Sequence, residues 1–419
     1  MPEYRSPRME RLMREMGAGR SEEVLAEFWQ EIAEQGAPIV ESIIDEETRD
    51  RLVTVVWHGG PETRNVVVFG GLTANTPLKE NLMINVLETD LWYRTYRLAS
   101  TAHTSYYFAQ NDSLVPLKEE KDMQARMRTC QPDPLNPRQF VYAVGDEKPD
   151  DFIWTVSVLE LADAHEQPWI TRREEVPEGR VEQHTFESAI LKNSRRVWIY
   201  TPAGYSKEHE PYGILLLFDG PAYLHLVPTP TIIDNLVSEG KIPPLVVVLA
   251  DSLDQETRGR ELPCNPEHAS YLIQELLPWV REHYHVSREP ARCIVAGSSY
   301  GGLAAAYTAL QAPEVFGNVL SQSGSYWWGK DHPSEPQPEW LARQYVLKDK
   351  QAIRFYLEVG LLESLADMVT TNRHMRNVLE AKGYHVDYSE FQGGHDYLCW
   401  RGSLSDGLIS LTADWQVDS

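Results

Sequence analysis

The 419-residue chain has no apolar run approaching the roughly 18 to 20 residues that cross a bilayer. Its opening segment, MPEYRSPRMERLMREMG, is polar and charged and lacks the apolar centre of a secretory signal. Both absences argue against export and membrane insertion, so the cytoplasm is the expected location. Cysteine is scarce. Cys130, Cys264, Cys293 and Cys399 lie far apart with no CxxC pair, which speaks against a disulfide framework or a zinc knuckle. Four free thiols and no metal site are expected. Cations are also few: 39 Lys and Arg stand against 62 Asp and Glu, a formal charge of −23. Such a surface repels nucleic acid and anionic membranes. It repels anionic small molecules too, unless a site carries a local cationic lining. Internal repeats and low-complexity tracts are missing.

What remains is a soluble globular composition, 42% hydrophobic and 24% charged, in a chain long enough for two domains. Arg and Met at helical spacing in the opening segment are compatible with a short amphipathic helix, and 22–37 reads as a second. Short β-like runs at 52–59, 65–71, 90–98 and 105–110 follow without helical patterns between them, which suggests a β-sandwich. DPLNP at 133–137 is a turn. Between about 144 and 180 the chain is charged and proline-bearing, as linkers are. The expected domains are 1–170, a β-sandwich, and 171–419. In the second, continuously apolar strands such as GILLL and LVVVLA alternate with helical stretches. That rhythm is an α/β fold with a mostly parallel sheet covered on both faces.

Gly297-Ser298-Ser299-Tyr300-Gly301 has the form G-x-S-x-G between a β-branched strand and an alanine-rich helix. This is the context in which the motif lifts a nucleophilic serine above the sheet of an α/β-hydrolase, at a helix N-terminus that favours negative charge. Side chains at Gly297 or Gly301 are expected to collide with neighbouring backbone. Ser299 is the nucleophile expected; Ser298 holds the variable position. A serine needs a base, and the fold places it after the acid in the chain. His374 and His385 read as surface or packing residues, and His332 sits in a polar loop. His395, in FQGGHDYLCW, follows the last strand, with Gly393 and Gly394 to let a loop fold over the sheet edge. The acid should follow the strand RFYLEV: Glu363 is favoured, Asp367 is second, and Glu358 lies inside the strand. For the oxyanion hole, the Tyr300 N–H is one expected donor. Pro221 has no N–H, so Gly220 or Ala222 supplies the other. Asp219 either shapes that turn or caps it.

GSSYGG, FGNVLSQSGSYWW, RGRELPCN and GGHDYLCWRG, with FWQEI, TDLWYRTYRL and DPLNP earlier in the chain, resemble the enterochelin (enterobactin) esterase family almost end to end. The resemblance implies a β-sandwich followed by an α/β-hydrolase domain, and cytoplasmic hydrolysis of a catecholate trilactone siderophore, often as the ferric complex. It implies no cofactor, iron entering only as part of the substrate. Ser299 and His395 match the family's nucleophile and base, and Glu363 falls where the family has its acid. A ferric tris-catecholate is a trianion, so Arg258 and Arg260, after PLVVVLAD at the sheet's C-terminal edge, are candidate contacts. Alternatively, they pair with Asp254, Glu256 and Glu261. Trp327, Trp328 and Trp400 are candidates to stack on catechol rings. Two other functions fit less well: a glycan-directed acetyl or feruloyl esterase, and a non-catalytic siderophore-binding protein.

Overall fold

The computed structural model describes residues 4–43, 49–73, 76–116, 119–145, 153–330, 332, 334–363 and 367–415. Two helices come first, Pro7–Glu15 and Ser21–Gln35. Ser6 caps the first by accepting from Met9 N, and Pro7 takes the first helical position, where a missing N–H costs nothing.

The strands that follow are β1 (Ile39–Ser42), β2 (Asp50–His58), β3 (Val66–Gly70), β4 (Ile84–Asn85), β5 (Leu91–Ala99), β6 (His103–Gln110), β7 (Cys130–Gln131), β8 (Gln139–Val141) and β9 (Thr155–Glu160). They make two antiparallel sheets, ordered β1-β2-β5-β4 and β3-β6-β9-β8, with β7 beside β6. Val53, Val55 and Trp57 meet Val66, Val68, Tyr106 and Phe108 in a shared core. Val56, on the opposite face of β2, packs with Met9, Leu12, Phe28 and Ile32 of the two helices. Two layers of cover explain why LVTVVW is apolar without alternation.

The second unit is one eight-stranded sheet: β10 (Arg180–Ser188), β11 (Asn193–Thr201), β12 (Gly213–Leu217), β13 (Leu245–Ala250), β14 (Cys293–Ser298), β15 (Asn318–Gln322), β16 (Arg354–Gly360) and β17 (His385–Phe391). Its order is β10-β11-β13-β12-β14-β15-β16-β17. β10 and β11 are antiparallel additions at one edge, and the remaining pairs are parallel. The helix Tyr300–Gln311 covers one face; Thr229–Ser238 and Tyr397–Thr412 cover the other. The chain leaves β12 for β13 on one side and later returns to β14 on the other. Such a reversal opens a crevice at the strands' C-terminal ends, where α/β sheets bind ligands.

The stretch expected to be linker holds the strand β9 and ends where β10 begins, a strand the sequence reading did not expect. β10 alternates exposed and half-buried positions over RVEQHTFES, so its charged residues hide an edge strand. Residues 146–152 of that stretch lie outside the described residues. All four cysteines are free and buried. Within the sandwich, buried Arg126 grips Asp112 through Nε–Oδ2 at 2.9 Å and Nη2–Oδ1 at 2.6 Å. Replacing Asp112 by Ala strands a buried guanidinium, an expected loss of about 3 kcal/mol in urea unfolding; a change under about 0.5 kcal/mol would show the pair to be idle.

Candidate active site

β14 ends at Ser298, and the helix begins at Tyr300. Ser299 makes the turn between them at φ 58° and ψ −120°, backbone that a non-glycine residue adopts only when its surroundings enforce it. Three contacts do so. Ser299 N donates to Gln322 O at 2.9 Å, Ser325 N donates to Ser299 O at 3.0 Å, and the hydroxyls of Ser299 and Ser325 lie 3.3 Å apart. A Cβ on Gly297 would sit 2.8 Å from the carbonyl carbon of Gly301, so the first glycine lets strand and helix cross. The collision expected at Gly301 does not arise: its nearest neighbour would be Phe218 Cβ at 3.5 Å. Ser298 is buried and Ser299 is half-buried, which separates the two hydroxyls.

His395 lies between β17 and the helix Tyr397–Thr412, one residue before that helix's cap, Asp396. Its Nδ1 is 2.8 Å from Glu363 Oε2, with the imidazole 17% exposed and the carboxylate 0%. The pair meets at ion-pair distance without an aligned hydrogen bond, and neither Glu363 oxygen finds another donor among the described residues. The two turns are sewn together: Leu361 N donates to Phe391 O at 2.7 Å and Leu362 N to Gly393 O at 2.9 Å. Of the two acids open from the sequence, Glu363 is therefore the one at the imidazole. Asp367 instead precedes the helix Met368–Ala381 and receives Thr371 N on its backbone oxygen. Of the other histidines weighed, His374 pairs with Glu339 and His385 lies near Asp387.

Asp219 closes β12 in the left-handed region, φ 56°, ahead of the short helix Gly220–His225. Ala222 N–H is spent on Asp219 O at 2.9 Å, which leaves Gly220 of the two donors weighed for this loop. A Cβ on Gly220 would come within 3.0 Å of the Leu249 backbone carbon, so a side chain there would be tightly confined. Tyr300 opens its helix directly after Ser299.

The candidate ligand contacts fare differently. Arg258 does not pair with Asp254, Glu256 or Glu261. Its Nε and Nη2 each donate to the Asp219 carboxylate at 2.7 Å, and Ser252 Oγ donates to the same carboxylate at 2.7 Å. Burial works against the charge of Arg258, but the Asp219 carboxylate outweighs it and holds the arginine above its ordinary pKa. The guanidinium also lies over the Tyr300 ring at 5.8 Å. Arg258 thus braces the loops carrying Gly220 and Tyr300, a task the sequence reading did not assign. Arg260, 60% exposed, is only 3.6 Å from Glu261. Trp400 is buried, 3% exposed, with its ring edge-on to His395 at 4.9 Å. It seats the imidazole and has no free face for a ligand, which corrects its expected stacking role. Trp328 is half-buried and packs edge-on against Trp340; Trp327 lies 5.9 Å from Tyr300. Beside these groups a cleft of about 370 Å³ is lined by Tyr142 of the sandwich with Asp219, Ala222, Asp251, Arg258 and Tyr397.

Residues 188–411 match the family described as "Putative esterase", and residues 52–170 match "Enterochelin esterase, N-terminal". An iron(III) enterobactin esterase of Escherichia coli O6:H1 is 35% identical over 345 residues, spanning 80% of this chain and 82% of that protein. The chain belongs to the enterochelin esterase family. It is a carboxylic ester hydrolase. The iron(III) enterobactin esterase of Dickeya dadantii is 29% identical over 419 residues, 91% of either chain. The crystal structure of the enterobactin esterase of Shigella flexneri in the presence of enterobactin superposes with a TM-score of 0.74 at 32% identity, covering 93% of this chain and 98% of that one. No helix of the described residues is long and apolar enough to cross a membrane. Among the same residues no group of three or more His, Cys, Asp or Glu side chains is placed to hold a metal ion.

Beneath the site of this esterase runs a polar chain that sequence reasoning missed. Tyr223 OH donates to Gln322 Oε1 at 2.7 Å, and Gln322 Nε2 donates to Glu358 Oε1 at 2.9 Å and to Trp400 O at 2.9 Å. Ser403 Oγ also donates to Glu358. The only signal was a run of polar residues, SQSGS, in an apolar strand context. Burial pushes the Glu358 carboxyl from 4.5 up to about 8, against the hydrogen bonds from Ser403 and Gln322. The folded esterase therefore keeps a proton that the unfolded chain gives up. This contribution is full below the unfolded pKa and is lost as pH rises toward the folded one. Glu358→Gln should flatten the fall in Tm between about pH 5 and pH 8 relative to the parent; parallel Tm profiles would show that Glu358 stays ionised.

Proposed function

We propose that this esterase hydrolyses the ester bonds of a catecholate trilactone siderophore, its ferric complex included, in the cytoplasm. The relatives named above as iron(III) enterobactin esterases support the substrate class. The observation that carries the mechanism is the contact between His395 and buried Glu363; like the strained turn at Ser299, both residues follow the C-terminal ends of parallel strands.

In this reading Ser299 Oγ attacks a lactone carbonyl carbon while His395 Nε2 takes its proton. Glu363 offsets the imidazolium charge across the 2.8 Å contact at Nδ1. The tetrahedral oxyanion is held by the N–H groups of Tyr300 and Gly220, the first reinforced by the helix N-terminus. Collapse breaks the carbonyl–oxygen bond, and the departing serine hydroxyl of the substrate takes the proton from His395. Water then adds to the acyl-enzyme with His395 as base, releasing a carboxylic acid and restoring Ser299. Opening the ring removes the preorganisation of the three catecholates, so the ferric ion they carry is bound less tightly.

The substrate's negative charge must be met locally, against a chain of net charge −23. Arg258 has its charge matched by Asp219, so Arg260 is the more accessible cation and keeps the substrate-contact role, with Trp328 as the aromatic surface. Ser299→Ala is expected to abolish trilactone hydrolysis in a folded protein; ordinary turnover by that variant would refute the assignment. Glu363→Gln should lower kcat by roughly 10⁴-fold with KM little changed, the cost of losing a triad carboxylate. Mass spectrometry of products should show linear and shortened acyl-serines from a cyclic trilactone. A higher kcat/KM on feruloylated or acetylated sugars would overturn the siderophore reading while leaving the esterase intact.

A further inference from the structure

The β-sandwich does not merely neighbour the hydrolase domain; it grips the loop that carries the base. His103 N donates to Gln392 O at 2.9 Å, and Cys399 Sγ donates to His103 O at 3.3 Å. Gln167 Nε2 donates to Leu398 O at 2.9 Å and its Oε1 accepts from Arg401 Nε at 2.8 Å. At the centre Ser105 Oγ, on β6, donates to Asp396 Oδ2 at 2.8 Å, with both residues buried. The other oxygen of Asp396 accepts Cys399 N at 3.0 Å and caps the last helix. The acid-bearing turn is held from the same side, since Leu362 packs on the sandwich core one residue before Glu363.

From this we infer that Ser105 is a positioning residue for the hydrolase: by fixing one oxygen of Asp396 it fixes the start of the last helix, and with it the direction in which His395 meets Ser299. The inference rests on the roles given above to Ser299 and His395. Among the described residues His395 meets Glu363 and the edge of Trp400, and it stands directly before Asp396. If Asp396 loses the Ser105 hydroxyl, its carboxylate is held only by the cap and can turn. The imidazole then shifts by a fraction of an ångström, enough to slow a step that requires near-attack geometry. Substrate binding, made elsewhere in the cleft, is not touched. Ser105 thus differs from a residue that only stabilises the fold: its loss falls on kcat and not on KM.

The test is steady-state hydrolysis of a cyclic catecholate trilactone and of p-nitrophenyl butyrate by the full chain carrying Ser105→Ala, Ser105→Thr or His395→Ala, with Tm measured for each. Ser105→Ala is expected to lower kcat about 10-fold on both substrates with KM within about twofold. Ser105→Thr, which keeps the hydroxyl, should restore most of it. Should Ser105→Ala fail to fold, Ser105→Cys, of similar size and a weak donor, takes its place. A parental kcat in the alanine variant while His395→Ala is inactive overturns the positioning role alone. A fall that follows the unfolded fraction and that threonine does not rescue overturns it as well. Normal turnover by His395→Ala would instead overturn the triad on which the inference stands.

Discussion

A carboxylate shut away from water needs a partner, and Glu363 has one in the His395 imidazole. That contact constrains the second half of the chain. The acid and base turns must approach closely, which requires a glycine at 360: a Cβ there would lie 2.3 Å from Gly393 O. The base turn must in turn lead at once into the last helix, which packs beneath the sheet and brings Trp400 under the imidazole. Removing a buried charge from its counter-group is costly, so the geometry of the base follows from the burial of the acid.

A second buried pair organises the opposite side of the site. Asp219 and Arg258 cancel one another between the loop after β12 and the helix that begins at Tyr300. Their value is architectural. The left-handed backbone at Asp219 frees Gly220, and the carboxylate is held still by three donated hydrogen bonds. In a strongly acidic protein an arginine near the site suggests ligand recognition. Here the same arginine is bound through Nε and Nη2 to Asp219 and shapes the scaffold.

Much of the fold could be read from pattern. Continuous apolar strands, the G-x-S-x-G turn and the glycines before His395 are local signals, and the structure has the elements where those signals stand. The edge strand β10 was hidden because only one of its faces is half-covered, and charge dominates its composition. Glu363 could be preferred over Asp367 from its distance past the strand, but its burial is a tertiary fact. Arg258 and Gln322 were misjudged or missed for one reason: their partners, Asp219 and Glu358, come from other strands, and no local spacing records such a meeting. Trp400 stands five residues past its partner His395, but its burial is a tertiary fact.

The bond between Ser105 and Asp396 joins positions 291 residues apart in the chain. During synthesis the sandwich emerges first and folds as a unit. Its Ser105 hydroxyl donates to a residue near the end of the chain, so this bond between the two halves forms only once nearly all of the protein has been made. A chain that stops before His395 carries Ser299 without the base proposed for it, and one that stops before Asp396 leaves the Ser105 hydroxyl without its acceptor.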